Sequence, residues 1–548
     1  MKRRLSSLAT AGVLLASALA CDEPLAINNK NNPDVERIFG SPSGVESVVS
    51  RLYQQTYGGM YNSPNTIWPA LAVMSFESAS SLGNYGMGTQ AALPRQPFDN
   101  SRGNREEVEH FRVFDFASRN ARMAANAVAA LNVFREQGRS IATAQRDARA
   151  KSFAFFAYGY AIANTALFYD SVAVPEPGVL VGEDFADFVT PSAAMAKAIE
   201  ALDSALAISQ STDAAGMTIP NDWVAAVGGS AMTLADYQRM IRSYRARFRA
   251  NIARTPEERA AVDWEKVIDD ATNGITADLM INLSTQTGWQ LNWQSTAATQ
   301  GWHQMPYMII GMADTSGAYD AWLAQALDAR TPFVVKTPDT RFPAGETRAE
   351  QQARTGSARV PPSGSGLYFR NRPSGEDTPI QPWATSQYDY LRFWGYTAAN
   401  FLNYPWPVIT KAEMDLLAAE GHIKRNNLAA AAVLIDRTRT ARGLPSVAGL
   451  TSLTQPVPGG TACVPRVPVA PAYTTSACGN LFEALKWEKR METAFTGFGQ
   501  WFLDSRGWGD LPEATPLEVP VPYQEMDARG TPFYNSQLHK SGKGTYGI

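Results

Sequence analysis

The chain has 548 residues, with 49 basic and 52 acidic side chains and a formal net charge of −3 at pH 7. It exceeds the usual span of one simple hydrophobic core, and it has no basic surplus to neutralise a phosphate backbone, which argues against nucleic acid as a partner. Aromatic residues are plentiful (24 Phe, 20 Tyr, 13 Trp) beside 4 His, a composition that suits binding on flat apolar surfaces better than acid–base or metal chemistry, so neither a metal nor a cofactor is expected.

The first segment reads as a processing signal. Lys2, Arg3 and Arg4 form a positive start, Leu5 to Leu19 a short apolar run, and Ala20-Cys21 a lipoprotein-type cleavage junction, with Ala18 where such junctions favour Leu. On this reading residues 1–20 are removed and Cys21 carries the lipid. Stable anchoring needs more than one acyl chain. The alternative is an ordinary signal peptide with Cys21 left as a spare thiol. Asp22 to Asn32 are polar and low in complexity, as expected of a tether over residues 21–38, and nothing downstream is apolar for long enough to span a bilayer. Residues 39–548 are then a single body.

Helical periodicity dominates that body. The spacing predicts an antiparallel pair over Asn104–Gln137 and Thr143–Tyr169, and a second pair over Pro191–Ser209 and Thr233–Ile252. A shorter helix follows over Val262–Asn273, with Gly274 as its C-terminal cap. Thr410–Ile423 and Leu428–Thr440 form another pair. Thr410 with Glu413 makes a capping box, and Gly443 with Pro445 makes a stop. Asn480 can cap a last long helix. The expected fold is mainly α: tetratricopeptide-like antiparallel helix pairs forming a scaffold, with little β structure. Long Gly-, Pro-, Ser- and Asn-rich loops are expected over Tyr57–Arg102, Ser211–Ser230, Leu283–Gly317, Thr331–Pro382 and Leu444–Asn480. Loops of this length usually carry function. Cys463 and Cys478 share the last of them and should pair in an oxidising compartment.

Candidate chemistry divides between the loops and the last helix. Trp289, Trp293, Trp302 and Tyr307 fall in one loop, and Trp68, Asn84 and Tyr85 in another. Sugar C–H faces pack on such rings while amides bond hydroxyls, so these seven residues are the ligand-binding candidates. The alternative is that the rings pack the loops onto the helices or face a protein partner. Glu488 and Glu492, four apart, share a helix face with Leu481 and Leu485. A glycosidase needs its two acids on opposite sides of a scissile bond. Pairing with arginines such as Arg439, Arg442 or Arg506 is the expected role instead. HExxH, GxSxG, Walker and GxGxxG patterns are absent, and no catalytic residue is expected.

Two C-terminal stretches, Val408–Pro445 and Leu481–Leu511, resemble the signature of the SusD/RagB family of nutrient-binding outer-membrane lipoproteins. Ala412-Glu413, Leu416 and Ala419-Glu420 match one helix of that signature, and Ile435, Asp436, Arg439, Ala441 and Gly443-Leu444-Pro445 the next. Glu488, Arg490, Glu492, Gly497, Trp501, Asp504, Arg506, Trp508 and Gly509 follow the last. Thr496 and Gln500 depart from it, and the family's usual ending is missing. Residues 407–548 are the most family-like part. The resemblance implies non-catalytic capture of a glycan, or of a peptide as in RagB-like members, and delivery to a SusC-like TonB-dependent barrel. It also implies a lipid-anchored place on the bacterial outer membrane facing outward, for which Asp22-Glu23 resemble an export signal.

Overall fold

Ser41, Thr143, Thr190, Thr233 and Asp263 each accept a hydrogen bond from the backbone N–H three residues on. These N-caps set where five helices begin. In the computed structural model, which describes residues 39–80, 85–105, 108–179, 185–290, 293–294, 303–355, 365–373, 385–394, 403–539 and 543–547, the long helices of the first half are α1 (Pro42–Tyr61), α2 (Val108–Glu136), α3 (Ala144–Phe168), α4 (Pro191–Ser209), α5 (Leu234–Asn251) and α6 (Trp264–Thr272). Near the C-terminus follow α7 (Lys411–Lys424), α8 (Leu428–Arg439), α9 (Leu481–Thr493) and α10 (Gln500–Trp508). The expected helices are present with ends shifted by a few residues. Helix α1 was not expected, although Ser41-Pro42 is a sound helix start.

The helices pack in sequence. α3 lies against α2 and α4, α1 against α2 and α3, α5 against α4 and α6, and α7 against α6, α8 and α9. The α3–α4 approach needs a residue without a side chain, because a Cβ on Gly159 would stand 2.8 Å from the Ala198 carbonyl oxygen. An aromatic cluster ties three helices together. Tyr53 of α1 meets Phe156 and Tyr160 of α3 edge-on, and its hydroxyl shares a 2.8 Å hydrogen bond with that of Tyr244 of α5.

Strands are few and short, as expected. Antiparallel β1 (Ala79–Ser80), β3 (His303–Pro306), β5 (Thr385–Tyr390) and β4 (Phe369–Asn371) form a sheet in the order β1-β3-β5-β4. A separate ribbon pairs β2 (Leu279–Ser284) with β6 (Asn403–Ile409), Trp406 opposite Ile281. A third pairs β7 (Arg466–Pro468) with β8 (Ser476–Cys478). There Cys463 and Cys478 form a disulfide, Cα atoms 5.7 Å apart, closing the proline-rich insert. The expected loops also hold short helices, Trp68–Met74, Met87–Ala91 and Arg348–Thr355.

One expected cap is different. α6 ends at Thr272 with Asn273 as its C-cap, and Gly274 has no left-handed backbone. Glycine is needed there because a Cβ would meet the Ser243 hydroxyl at 2.5 Å and the Asp270 carbonyl oxygen at 3.0 Å. Among the described residues no helix is long and apolar enough to cross a membrane.

Candidate ligand-binding face

Beyond β1 the chain reaches Tyr85, a non-glycine residue held at φ +58°. Such a conformation persists only where the surroundings over-determine it. Here the ring packs on Val73, Met87 and Ala91. Beyond β2 lies Trp293, half-buried against the main core. Its neighbour Gln294 is fixed by a 3.0 Å hydrogen bond from its side-chain amide to the Gly497 carbonyl. The two rings meet edge to face, centroids 6.0 Å apart and planes at 72°. Two loops far apart in sequence therefore join at a pair of aromatic rings that are both half-buried, each presenting part of its surface. That surface can take the apolar face of a ligand.

Three other ring candidates belong to the core. Trp68, Trp289 and Tyr307 are each 1% exposed. Trp289 packs against Tyr53 and Tyr57 at 5.5 Å. Tyr307 stacks on Phe333 at 4.3 Å and its hydroxyl donates to the Phe333 carbonyl. Trp68 lies 6.2 Å from Phe495. Sealed rings cannot stack on a ligand in this conformation, so the expectation of direct contact is corrected for these three. Asn84, Trp302 and the proposed lipidation site Cys21 lie outside the described residues.

The C-terminal carboxylates are internal. Arg341 pairs with Glu488 and approaches Glu492 at 3.8 Å, while Arg392 pairs with Glu492 at 2.9 Å. Tyr368 donates its hydroxyl to Glu492 at 2.8 Å. Burial pushes Glu492 up, but Arg392 and Arg341 overcome it and hold the carboxyl below its ordinary value. Burial raises Glu488 to about 7 against the pull of Arg341. A general acid can have such a value, yet Glu488 is fully sealed from solvent. Arg439 stands 3.9 Å from Glu488 and spends its hydrogen bonds on the Pro445 and Val464 carbonyls. Arg506 is a correction: it donates to the Leu517 and Asn251 carbonyls and braces backbone rather than Glu488 or Glu492.

The partners that sequence reasoning missed lie upstream. Arg247 grips Glu413 with two hydrogen bonds of 2.6 and 2.7 Å, and Arg259 grips Glu420 at 2.7 and 2.8 Å. Lys489 bonds Asp504 at 2.7 Å, and Trp508 donates to Glu420 at 2.9 Å. Glu413 and Glu420 are seven residues apart on α7, two turns along one face, and so pin α5 and the short helix Pro256–Ala260 to it. The arginine-rich run of α5 was the available signal. Among the described residues no group of three or more His, Cys, Asp and Glu could hold a metal ion.

The chain is similar in structure to a SusD homologue from Parabacteroides distasonis, with a TM-score of 0.51 and 12% sequence identity over 84% of each chain. It is also similar to a SusD superfamily protein from Bacteroides thetaiotaomicron, with a TM-score of 0.51 and 10% identity over 89% of this chain and 98% of that one. The fold is SusD-like. No family model matches the chain, and no curated protein matches it in sequence. At such low identity the likeness describes architecture alone. In this SusD-like fold the signature carboxylates of α7 and α9 are bracing, and of the described candidate rings Tyr85 and Trp293 are the two that keep part of their surface exposed.

Proposed function

We propose that the protein captures a nutrient oligomer at the cell surface without altering it, and passes it to a SusC-like TonB-dependent outer-membrane barrel. The favoured ligand class is a glycan. The observation that carries this reading is the Tyr85–Trp293 contact, where two loops of a SusD-like fold offer half-buried rings to a sugar's C–H face. The sealing of Glu488 and Glu492 removes the support for a glycoside hydrolase. A lipid on Cys21, with residues 21–38 as tether, would hold the body at the outer membrane.

Calorimetric titration with a panel of oligosaccharides and oligopeptides tests the ligand class. Micromolar-to-millimolar binding of an oligosaccharide, with no product released, is expected. Binding confined to peptides would move the protein to the RagB-like mode, and turnover of a polysaccharide would replace the reading altogether. Co-purification of a large outer-membrane barrel from detergent extracts is the expected result for the partner, and its repeated absence would remove the delivery step.

A further inference from the structure

Between the helix Trp68–Met74, the helix Met87–Ala91 and the first turn of α2 lies a half-enclosed cavity of about 120 Å³. Ala70 and Phe98 form apolar wall, and Gln90, His110, Asn104 and Asp99 form polar wall. Gln90 and His110 are only 4% and 5% exposed, and Gln90 Oε1 and His110 Nδ1 have no hydrogen-bond partner. Buried polar atoms are normally satisfied, so two orphans on one cavity mark a place for an occupant. The His110 ring stands edge-on to Phe98 at 5.1 Å, and burial lowers it to about 4, which keeps the imidazole neutral at ordinary pH. Asp99 lies at the exposed edge, where one of its oxygens already accepts the Ser101 N–H at 2.9 Å.

We propose that this cavity binds a small neutral hydroxyl-bearing group, about the size of a three-carbon polyol, with one hydroxyl on Gln90 Oε1 and a second on His110 Nδ1. A hydroxyl both donates and accepts, so it satisfies the amide oxygen and either tautomer of the imidazole. Its C–H surface fits the Ala70 and Phe98 wall. An anion would meet the Asp99 carboxylate and no cation, whereas a full cation would find only an amide oxygen and a neutral ring inside. A cavity of this size accommodates a polyol end. The site shares no wall residue with the Tyr85–Trp293 contact and does not depend on the transport reading.

The full chain labelled with ¹⁵N-histidine carries four reporters, His110, His303, His422 and His539. It is titrated with glycerol, methylammonium chloride and sodium acetate in turn. Glycerol alone should move the His110 signals saturably and leave the other three still. Gln90→Met should weaken that response about tenfold or more, because one hydroxyl loses its acceptor. Should Gln90→Met not fold, Ala70→Val narrows the cavity without touching a polar group and must weaken the response likewise. The proposal is overturned by no saturable response to glycerol, by an equal response to methylammonium or acetate, or by a response the variants leave unchanged. A crystal structure in saturating glycerol with only water on Gln90 Oε1 and His110 Nδ1 would overturn it equally.

Discussion

Glu420 and Glu77 are both fully buried carboxyl groups, and their neighbours drive them in opposite directions. Burial pushes Glu420 up, but Arg259 and Lys489 outweigh it and bring the carboxyl down to about 2. Glu77 has only the Phe495 N–H and the Trp68 indole to oppose burial, and rises to about 8. Glu420 therefore contributes stability that is present above its unfolded value near 4.5 and is lost as pH falls toward 2. Glu77 contributes stability that is full below 4.5 and is lost as pH rises toward 8. Glu77→Gln keeps an acceptor for Phe495 and cannot ionise. Its stability relative to the parent should climb from pH 5 to pH 8 by about 4 kcal/mol and then level off. Urea midpoints measured across that range check this, and a difference independent of pH would refute it. Arg259→Met removes the two-bond partner of Glu420 and leaves it only Lys489 at 3.8 Å and the Trp508 indole, and should cost about 3 kcal/mol. The double change Arg259→Met with Glu420→Met should cost less than the single, because the Glu420 charge is removed together with its partner.

Helix ends were the most legible elements, because their signals are local. Thr410 accepts the Glu413 N–H at 3.0 Å as the capping box requires, and Asn480 accepts from Phe482 and Glu483. The second half of the box is diverted: the Glu413 carboxylate takes Arg247 instead of the Thr410 N–H. That choice depends on a helix 166 residues away in sequence, which no local pattern reveals. Strands were illegible for the same reason, since β1, β3, β5 and β4 pair across long intervals and are two to six residues long. Pro405 and Pro407 make β6 read as loop, yet a two-stranded ribbon leaves one edge free of bonding demands and tolerates them. Gly274 was legible as important and misread in its reason. Gly274→Ala should destabilise by about 1–3 kcal/mol through collision with Ser243 and Asp270 rather than through a lost left-handed turn. Gly274→Asn separates the two: a cap would tolerate Asn, whereas a close contact makes it worse than Ala in thermal melts.

At the scale of the whole molecule, aromatic clustering in the sequence does not tell which rings turn inward. Trp289 and Trp293 are four residues apart, but the Ser284–Trp289 bridge folds the first beneath α1 while the second stands past it beside Tyr85. Only packing from a distant helix separates them, so composition gave both equal standing. This difference predicts a clean division between stability and binding. Trp289→Ala empties a sealed site against Tyr53 and Tyr57 and should cost about 3–5 kcal/mol of folding stability. Trp293→Ala removes a half-buried ring and should cost far less stability, while weakening oligosaccharide binding by about tenfold or more. Denaturant unfolding and calorimetry on the same two variants make the comparison. If Trp293→Ala bound the oligosaccharide as tightly as the parent, the Tyr85–Trp293 contact would be loop packing, and the ligand would have to lie on other surfaces of the molecule.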